Sequence, residues 1–234
     1  MTTIIFAAGP ATRWAGARFV KWGGVRDVAN PPEHKQMISI GDEPNLFRTI
    51  RILKEVGETH ITVFASPGIA AEIPQDVTHS VVVFDDWGLH SLLDRFVQGE
   101  LAYRNSSRTR FIHGDVVFSR ETLANILDES ESSIRFFGRF GPNKITGKAA
   151  PELFGLSVAR EMYPALLEAC RTLPVTPAKL WNLREAMTTP GYPPPDFEIN
   201  DWTDDIDSAE EYVEFYPILC NHALAEDEVH RGHG

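Results

Sequence analysis

Thr3-Ile4-Ile5-Phe6-Ala7-Ala8-Gly9-Pro10-Ala11-Thr12-Arg13 is the stretch whose reading decides the fold. Its first half is a short, continuous apolar run, which suits a strand buried on both faces over residues 3–8. Gly9-Pro10 then ends the run and turns the chain into a loop. A buried strand that feeds such a loop opens an α/β sheet, and in open sheets of this kind ligands gather beyond the carboxyl ends of the strands. The small side chains of Ala7, Ala8 and Gly9 let backbone N–H groups come close to a base or phosphate. Arg13, just past Thr12, can fork onto phosphate oxygens.

Outward from this stretch, the pattern of strand followed by helix repeats. Leu46, Phe47, Ile50, Leu53 and Val56 fall at helical spacing with Gly57 as a stop, which predicts an amphipathic helix over 45–56. Strands follow at 61–64, 81–84 and 111–112, with helices at 89–97 and 120–127 between and after them. Alternation of this kind implies parallel pairing and a sheet covered on both faces, a three-layer α/β/α architecture with a mostly parallel central sheet. Beyond Glu131 the rhythm loosens: strands are expected at 134–137 and 153–156, a helix at 161–169 and a proline-rich connection at 190–195. Ser208-Ala209-Glu210-Glu211 has the capping-box pattern, so a last helix should start at Ala209 and run to about Phe215. Residues 1–222 read as one domain and 223–234 as a flexible, polar C-terminal tail.

The chain has 234 residues and a net charge of −11. Nucleic acid and anionic membrane surfaces are therefore excluded as expected partners, because both demand a basic footprint. Apolar runs are only a handful of residues long, against about 20 for a membrane span. The opening residues lack a basic region before their apolar run, so a cytoplasmic location is expected. Cys170 and Cys220 are too few for a disulfide framework and read as buried structural thiols.

Charge is distributed unevenly. Residues 10–35 hold five basic side chains (Arg13, Arg18, Lys21, Arg26, Lys35) and two acidic ones, whereas residues 200–214 hold seven acids and no base. One basic and one acidic loop suit a site that holds a phosphate ligand together with a divalent cation. The strand 111–112 runs into His113-Gly114-Asp115 and projects a carboxylate over the sheet edge. Asp205 and Asp207 are two apart, so in extended backbone both point the same way. Hard oxygen ligands from distant segments, Asp115 with Asp207 and Asp205, are what Mg²⁺ accepts while bridging substrate phosphates. The segment 141–149 fails as a P-loop: five residues separate Gly141 and Gly147, and Ala149 stands where Ser or Thr must reach Mg²⁺.

Taken in order, Ala7-Ala8-Gly9-x-Ala11-Thr12-Arg13, Lys35, Gly41-x-x-Pro44-Asn45-Leu46, Arg48-Thr49, Gly114-Asp115 and Asp205-Ile206-Asp207-Ser208-x-x-Glu211 resemble the nucleotidyltransferases of the GT-A type. The sub-pattern around His34-Lys35 and Pro44-Asn45-Leu46 looks most like the bacterial choline-phosphate cytidylyltransferases, beside the sugar-phosphate nucleotidyltransferases. The resemblance implies a GT-A, Rossmann-like fold and transfer of a nucleoside monophosphate from an NTP to a phosphorylated small molecule, with release of pyrophosphate and dependence on Mg²⁺. It implies Arg13 and Lys35 as catalytic cations, Ala7, Ala8, Gly9, Thr12, Arg13, Ser91 and Gly114 around the nucleotide, and Asp115, Asp207 and Asp205 at the metal. The alternatives are a GT-A glycosyltransferase that uses a nucleotide sugar and a non-catalytic nucleotide-binding module. The base, the acceptor and any homo-oligomer are left open by the sequence.

Overall fold

The structure is a computed structural model and describes residues 1–7, 34–74, 80–85, 92–128, 133–173, 180–188 and 196–231. In chain order its elements are β1 (Thr2–Ala7), β2 (Ser39–Ile40), β3 (Glu43–Pro44), α1 (Asn45–Glu55), β4 (Ile61–Ala65), α2 (Pro67–Glu72), β5 (Ser80–Val83), α3 (Leu92–Gln98), α4 (Glu100–Tyr103), β6 (Arg108–His113), β7 (Val116–Val117), α5 (Arg120–Asp128), β8 (Ile134–Arg139), β9 (Glu152–Ala159), α6 (Tyr163–Thr172), α7 (Leu180–Ala186), β10 (Asp196–Glu198), β11 (Asp204–Asp205) and α8 (Ala209–Arg231).

Every residue of β1 is buried, as its unbroken apolar pattern requires. Successive side chains of a strand point to opposite faces, and β1 divides accordingly. Ile4 and Phe6 join a cluster with Phe96 of α3, Leu166 of α6 and Leu183 of α7. Ile5 and Ala7 join another with Leu46 and Ile50 of α1, Ile69 of α2 and Leu123 of α5. Helices thus cover both faces of a sheet whose strand order is β10-β8-β9-β6-β1-β4-β5. Each fully buried side chain of this size contributes about 1.5–3 kcal/mol, and the two clusters meet across β1.

All neighbouring strands pair in parallel except β9, which runs antiparallel to both β6 and β8. The sheet is therefore mostly parallel, as expected, with one reversed strand in its interior. Gly155 permits that insertion: a Cβ there would lie 2.1 Å from the Phe111 carbonyl oxygen and 2.4 Å from the Phe137 ring. Two short ladders stand outside the main sheet. β2 pairs with β3, and β11 pairs with β7 with Asp205 opposite Val116.

The C-terminal expectation needs correction. The last helix does not stop near Phe215 but continues through Pro217 to Arg231, across most of the segment read as a flexible tail. Tertiary contacts hold it there. Tyr216, Leu219 and Ala223 pack against Ile38, Ile40, Val117 and Trp202. Arg48, fully buried on α1, donates through Nε and Nη2 to the Asp227 carboxylate at 3.2 Å, through Nη2 to Glu226 at 3.1 Å, and through Nη1 to the Phe118 carbonyl at 2.7 Å. Cys170 is buried as expected, whereas Cys220 is only half-buried. Among the described residues no helix is long and apolar enough to cross a membrane.

Candidate active site

The site forms at the carboxyl end of β6, beside the carboxyl end of β1. Gly114 follows β6 directly, and its N–H donates to the Phe6 carbonyl at 2.8 Å. A Cβ on Gly114 would approach the Phe6 oxygen to 3.0 Å and Ala7 Cα to 3.3 Å. The missing side chain lets the β6 turn close against β1 and sets Asp115 over the edge. Asn45, at the start of α1, donates from Nδ2 to the carbonyls of Val116 at 2.9 Å and Gly114 at 3.3 Å. The β7–β11 ladder then brings the acidic loop alongside Asp115.

Lys35 leaves a 3₁₀ turn formed by Lys35–Met37. Its ammonium donates to Asp207 Oδ1 and lies 3.9 Å from Asp115 Oδ2. Two carboxylates separated by 92 positions in the sequence thus converge on one cation. A second lysine, Lys148, is buried nearby, 2.5 Å from Asp205 Oδ1, 3.2 Å from Glu211 and 3.8 Å from Glu152. Carboxylate oxygens of Glu152, Asp205 and Asp207 lie within 4.8 Å of one another.

Among the described residues, five carboxylates (Asp115, Glu152, Asp205, Asp207, Glu211) stand against two ammonium groups, an excess of negative charge. Burial pushes the Asp205 carboxyl well above the usual range; Lys148 opposes that, and Asp207, Glu152 and Asp115 add to it. Burial alone would lower the Lys148 ammonium, but attraction to Asp205 and the hydrogen bond it donates to that carboxylate, with Glu211 and Asp204, outweigh it and raise the pKa. The two shifts differ in origin: desolvation leads for Asp205, whereas the surrounding carboxylates hold the proton on Lys148. Burial pushes the His113 imidazole below its ordinary value, Asp115 and Asp207 pulling it up and Lys35 down. Its Nε2 is buried with no hydrogen-bond partner among the described residues.

Not all acids of the 200–214 segment face this cluster. Asp204 is fully buried and accepts from Arg139 Nη2 at 3.1 Å, Asn143 Nδ2 at 3.0 Å and Thr146 Oγ1 at 2.7 Å. Asp201 accepts from the Ser119 hydroxyl, from Thr122 Oγ1 at 2.7 Å and from the Thr203 N–H at 2.8 Å. Glu211 closes the expected capping box in a variant form. Its N–H donates to Ser208 Oγ at 3.2 Å, while its carboxylate reaches back to the Asp207 N–H at 2.7 Å.

Of the residues singled out in the sequence, Ala7, Lys35, Gly114, Asp115, Asp205 and Asp207 come together here. Ala8, Gly9, Thr12, Arg13 and Ser91 lie outside the described residues. Lys148, Glu152 and Glu211 were not read as site residues. Lys148 precedes β9 and Glu152 opens it, so a search of the segments that follow strands passes both by. Because β9 runs opposite to its neighbours, the segment before it sits at the edge where the parallel strands end. The signal available was the lysine just after Gly147, left behind when 141–149 failed as a P-loop.

Neither a family model nor a curated protein matches this sequence. Solved structures do match in fold, and several of them are described as transferases of nucleotides. The inositol-1-phosphate CTP transferase from T. maritima superposes with a TM-score of 0.65 at 15% identity, covering 95% of each chain. The CTP:phosphocholine cytidylyltransferase from Streptococcus pneumoniae gives 0.59 at 15% identity, over 93% of this chain and 98% of that one. A manganese complex of Rv0371c from Mycobacterium tuberculosis H37Rv gives 0.58 at 17% identity, over 92% and 96%.

Proposed function

We propose that this chain is a nucleotidyltransferase that moves a nucleoside monophosphate from an NTP to a phosphorylated small molecule and releases pyrophosphate. The observation that carries the reading is the convergence of Asp115 and Asp207 on the Lys35 ammonium at the carboxyl end of β6. A place that holds one cation between two carboxylates from remote segments is built for cationic charge, and polyphosphate chemistry needs such charge. The fold shared with structures described as CTP transferases supports the same class.

The donor set fits a hard divalent cation: it consists of carboxylate oxygens, as Mg²⁺ prefers. Asp115 and Asp207 would hold it, with Asp205 and Glu152 adjoining. When bound, Mg²⁺ supplies charge neutralisation and a template for phosphate oxygens. The chain's own residues do the remainder. Lys35, steered by its two carboxylates, places an ammonium where the triphosphate must lie, and Arg13 from the basic loop adds a second cation. Ala7, Ala8, Gly9 and Gly114 admit the nucleotide by backbone approach, with Thr12 and Ser91 beside it. The acceptor phosphate is its own nucleophile, so the protein contributes position and charge compensation instead of covalent chemistry. Lys148 offsets the buried carboxylates and keeps the acidic loop folded against the site. A net charge of −11 disfavours polyanionic partners, and we read the chain as working on small molecules in the cytoplasm.

The test is a matrix of four NTPs against phosphorylated sugars, polyols and amino alcohols, with Mg²⁺, Mn²⁺ or chelator, read by pyrophosphate release. Release with one pair, abolished by chelator, is the expected result. Turnover of a nucleotide sugar without pyrophosphate establishes a glycosyltransferase instead, and tight NTP binding without turnover across the panel establishes a binding module.

A further inference from the structure

Asn45 opens α1, and the proposed chemistry assigns it no task. Its surroundings do. It is 1% exposed. Its carboxamide Nδ2 donates to the carbonyls of Gly114 and Val116, the two residues that flank Asp115. Its backbone N–H donates to the Ile38 carbonyl at 2.8 Å, three residues beyond Lys35 and at the end of the turn that carries it. That turn is closed by the Ile38 N–H on the Lys35 carbonyl at 3.1 Å. One residue therefore grips both sides of the cation site: the turn that presents Asp115 and the turn that presents Lys35.

We propose that Asn45 is a positioning residue of the cation site, a clamp that fixes the Asp115 carboxylate relative to Lys35 and Asp207. The inference rests on the reading of Asp115 and Asp207 as the cation-holding pair. The chemistry of the side chain fits the task. Two carbonyl acceptors aimed at one point need a donor of two protons, and a carboxamide –NH₂ is the short neutral side chain that has them. A carboxylate at this place would face two carbonyl oxygens and would add a further negative charge beside Asp115; an apolar residue would leave both carbonyls buried and unpaired. Outer partners that orient metal-holding groups typically account for 10- to 100-fold in metal affinity or activity. Asn45 would act at that distance, through the Asp115 backbone.

The experiment compares Mn²⁺ affinity, read from the EPR signal of free Mn²⁺, in the full chain and in Asn45→Ala. The expected result is about tenfold weaker binding or more, together with a fall in kcat for pyrophosphate release at unchanged acceptor KM. Thr49→Val, on the same helix and equally buried, is the control for general loosening of α1 and keeps wild-type Mn²⁺ affinity. If Asn45→Ala does not fold, Asn45→Ser, which retains one donor, is expected to lose between about twofold and tenfold in affinity. Affinity within twofold of wild type in a folded Asn45 variant overturns the proposal, as does an equal loss in Thr49→Val. A wild-type chain that binds no Mn²⁺ overturns it as well. A chain that binds Mn²⁺ in an Asn45-dependent manner but releases no pyrophosphate leaves the clamp standing and refutes the proposed reaction alone.

Discussion

Asp204→Asn isolates what the buried acid beside the site contributes. The side chain is fully buried and receives Arg139 at 3.1 Å, Asn143 at 3.0 Å and Thr146 at 2.7 Å. Arg139 is itself buried, and its Nη1 is already committed to the carbonyls of Gly141, Lys148 and Ala150. Replacing one carboxylate oxygen by –NH₂ turns a donor toward donors and removes the negative charge that faces the guanidinium. Breaking a buried pair from one side typically costs about 3–5 kcal/mol, because the surviving charge stays buried without its counter-ion. With a urea dependence of about 2–3 kcal/mol per molar, the unfolding midpoint should fall by about 1–2.5 M. Urea titration followed by tryptophan fluorescence and far-UV circular dichroism measures it. The reasoning also predicts where the damage begins. The loop between β8 and β9 is laced to Arg139 and Asp204, so hydrogen exchange there should accelerate before the sheet opens. A loss below about 1 kcal/mol would refute the claim that this ion pair is sequestered from water and supports the loop that carries Lys148.

Other perturbations probe other links. Lys35→Ala should reduce the rate of pyrophosphate release by about 10²–10³-fold, the scale of losing one transition-state cation or donor; a loss under about threefold would remove Lys35 from the chemistry. Asp227→Ala should destabilise the chain by about 3 kcal/mol, near the lower end for a broken buried pair because Glu226 and the Phe118 carbonyl still engage Arg48. Were residues 223–231 the loose tail that composition suggests, that substitution would leave thermal unfolding unchanged. Burial pushes the Cys170 thiol up to about 12 from an ordinary value of 9.0. The folded chain keeps this proton where the unfolded chain would lose it, so the associated stability is complete below pH 9 and disappears between pH 9 and 12. Thiol titration of native protein at pH 8 should accordingly modify Cys220 first and Cys170 only on unfolding, and equal rates would contradict the burial.

The residues explain how far the sequence carried. Ile4, Ile5 and Phe6 announce a strand buried on both faces because no alternation interrupts them, and α1 begins at Asn45 where the helical spacing of Leu46, Ile50 and Leu53 begins. Ser208 and Glu211 mark the start of α8 through a bond pattern confined to one turn. The end of α8 was not legible. A polar composition suggests a tail, yet the helix continues because Arg48, 179 positions upstream of Asp227, supplies the counter-charge. Within the acidic segment, Asp204 and Asp205 are chemically identical neighbours. Only the β7–β11 ladder and the position of Arg139 decide that one is sealed into the loop scaffold while the other joins the cluster around Lys148.

What the sequence determined by itself is therefore what depends on near neighbours: strands from runs, helices from spacing, a cap from four residues, and a charge imbalance between two loops. Tertiary structure alone decided the reversal of β9, which carries Glu152 and Lys148 to the edge where the parallel strands end, and the convergence of Asp115, Asp207 and Lys35 on one point. The physical reason is the range of the forces. Backbone propensity and side-chain periodicity act over a few residues, whereas strand order and the pairing of buried charges are settled by which surfaces exclude water together.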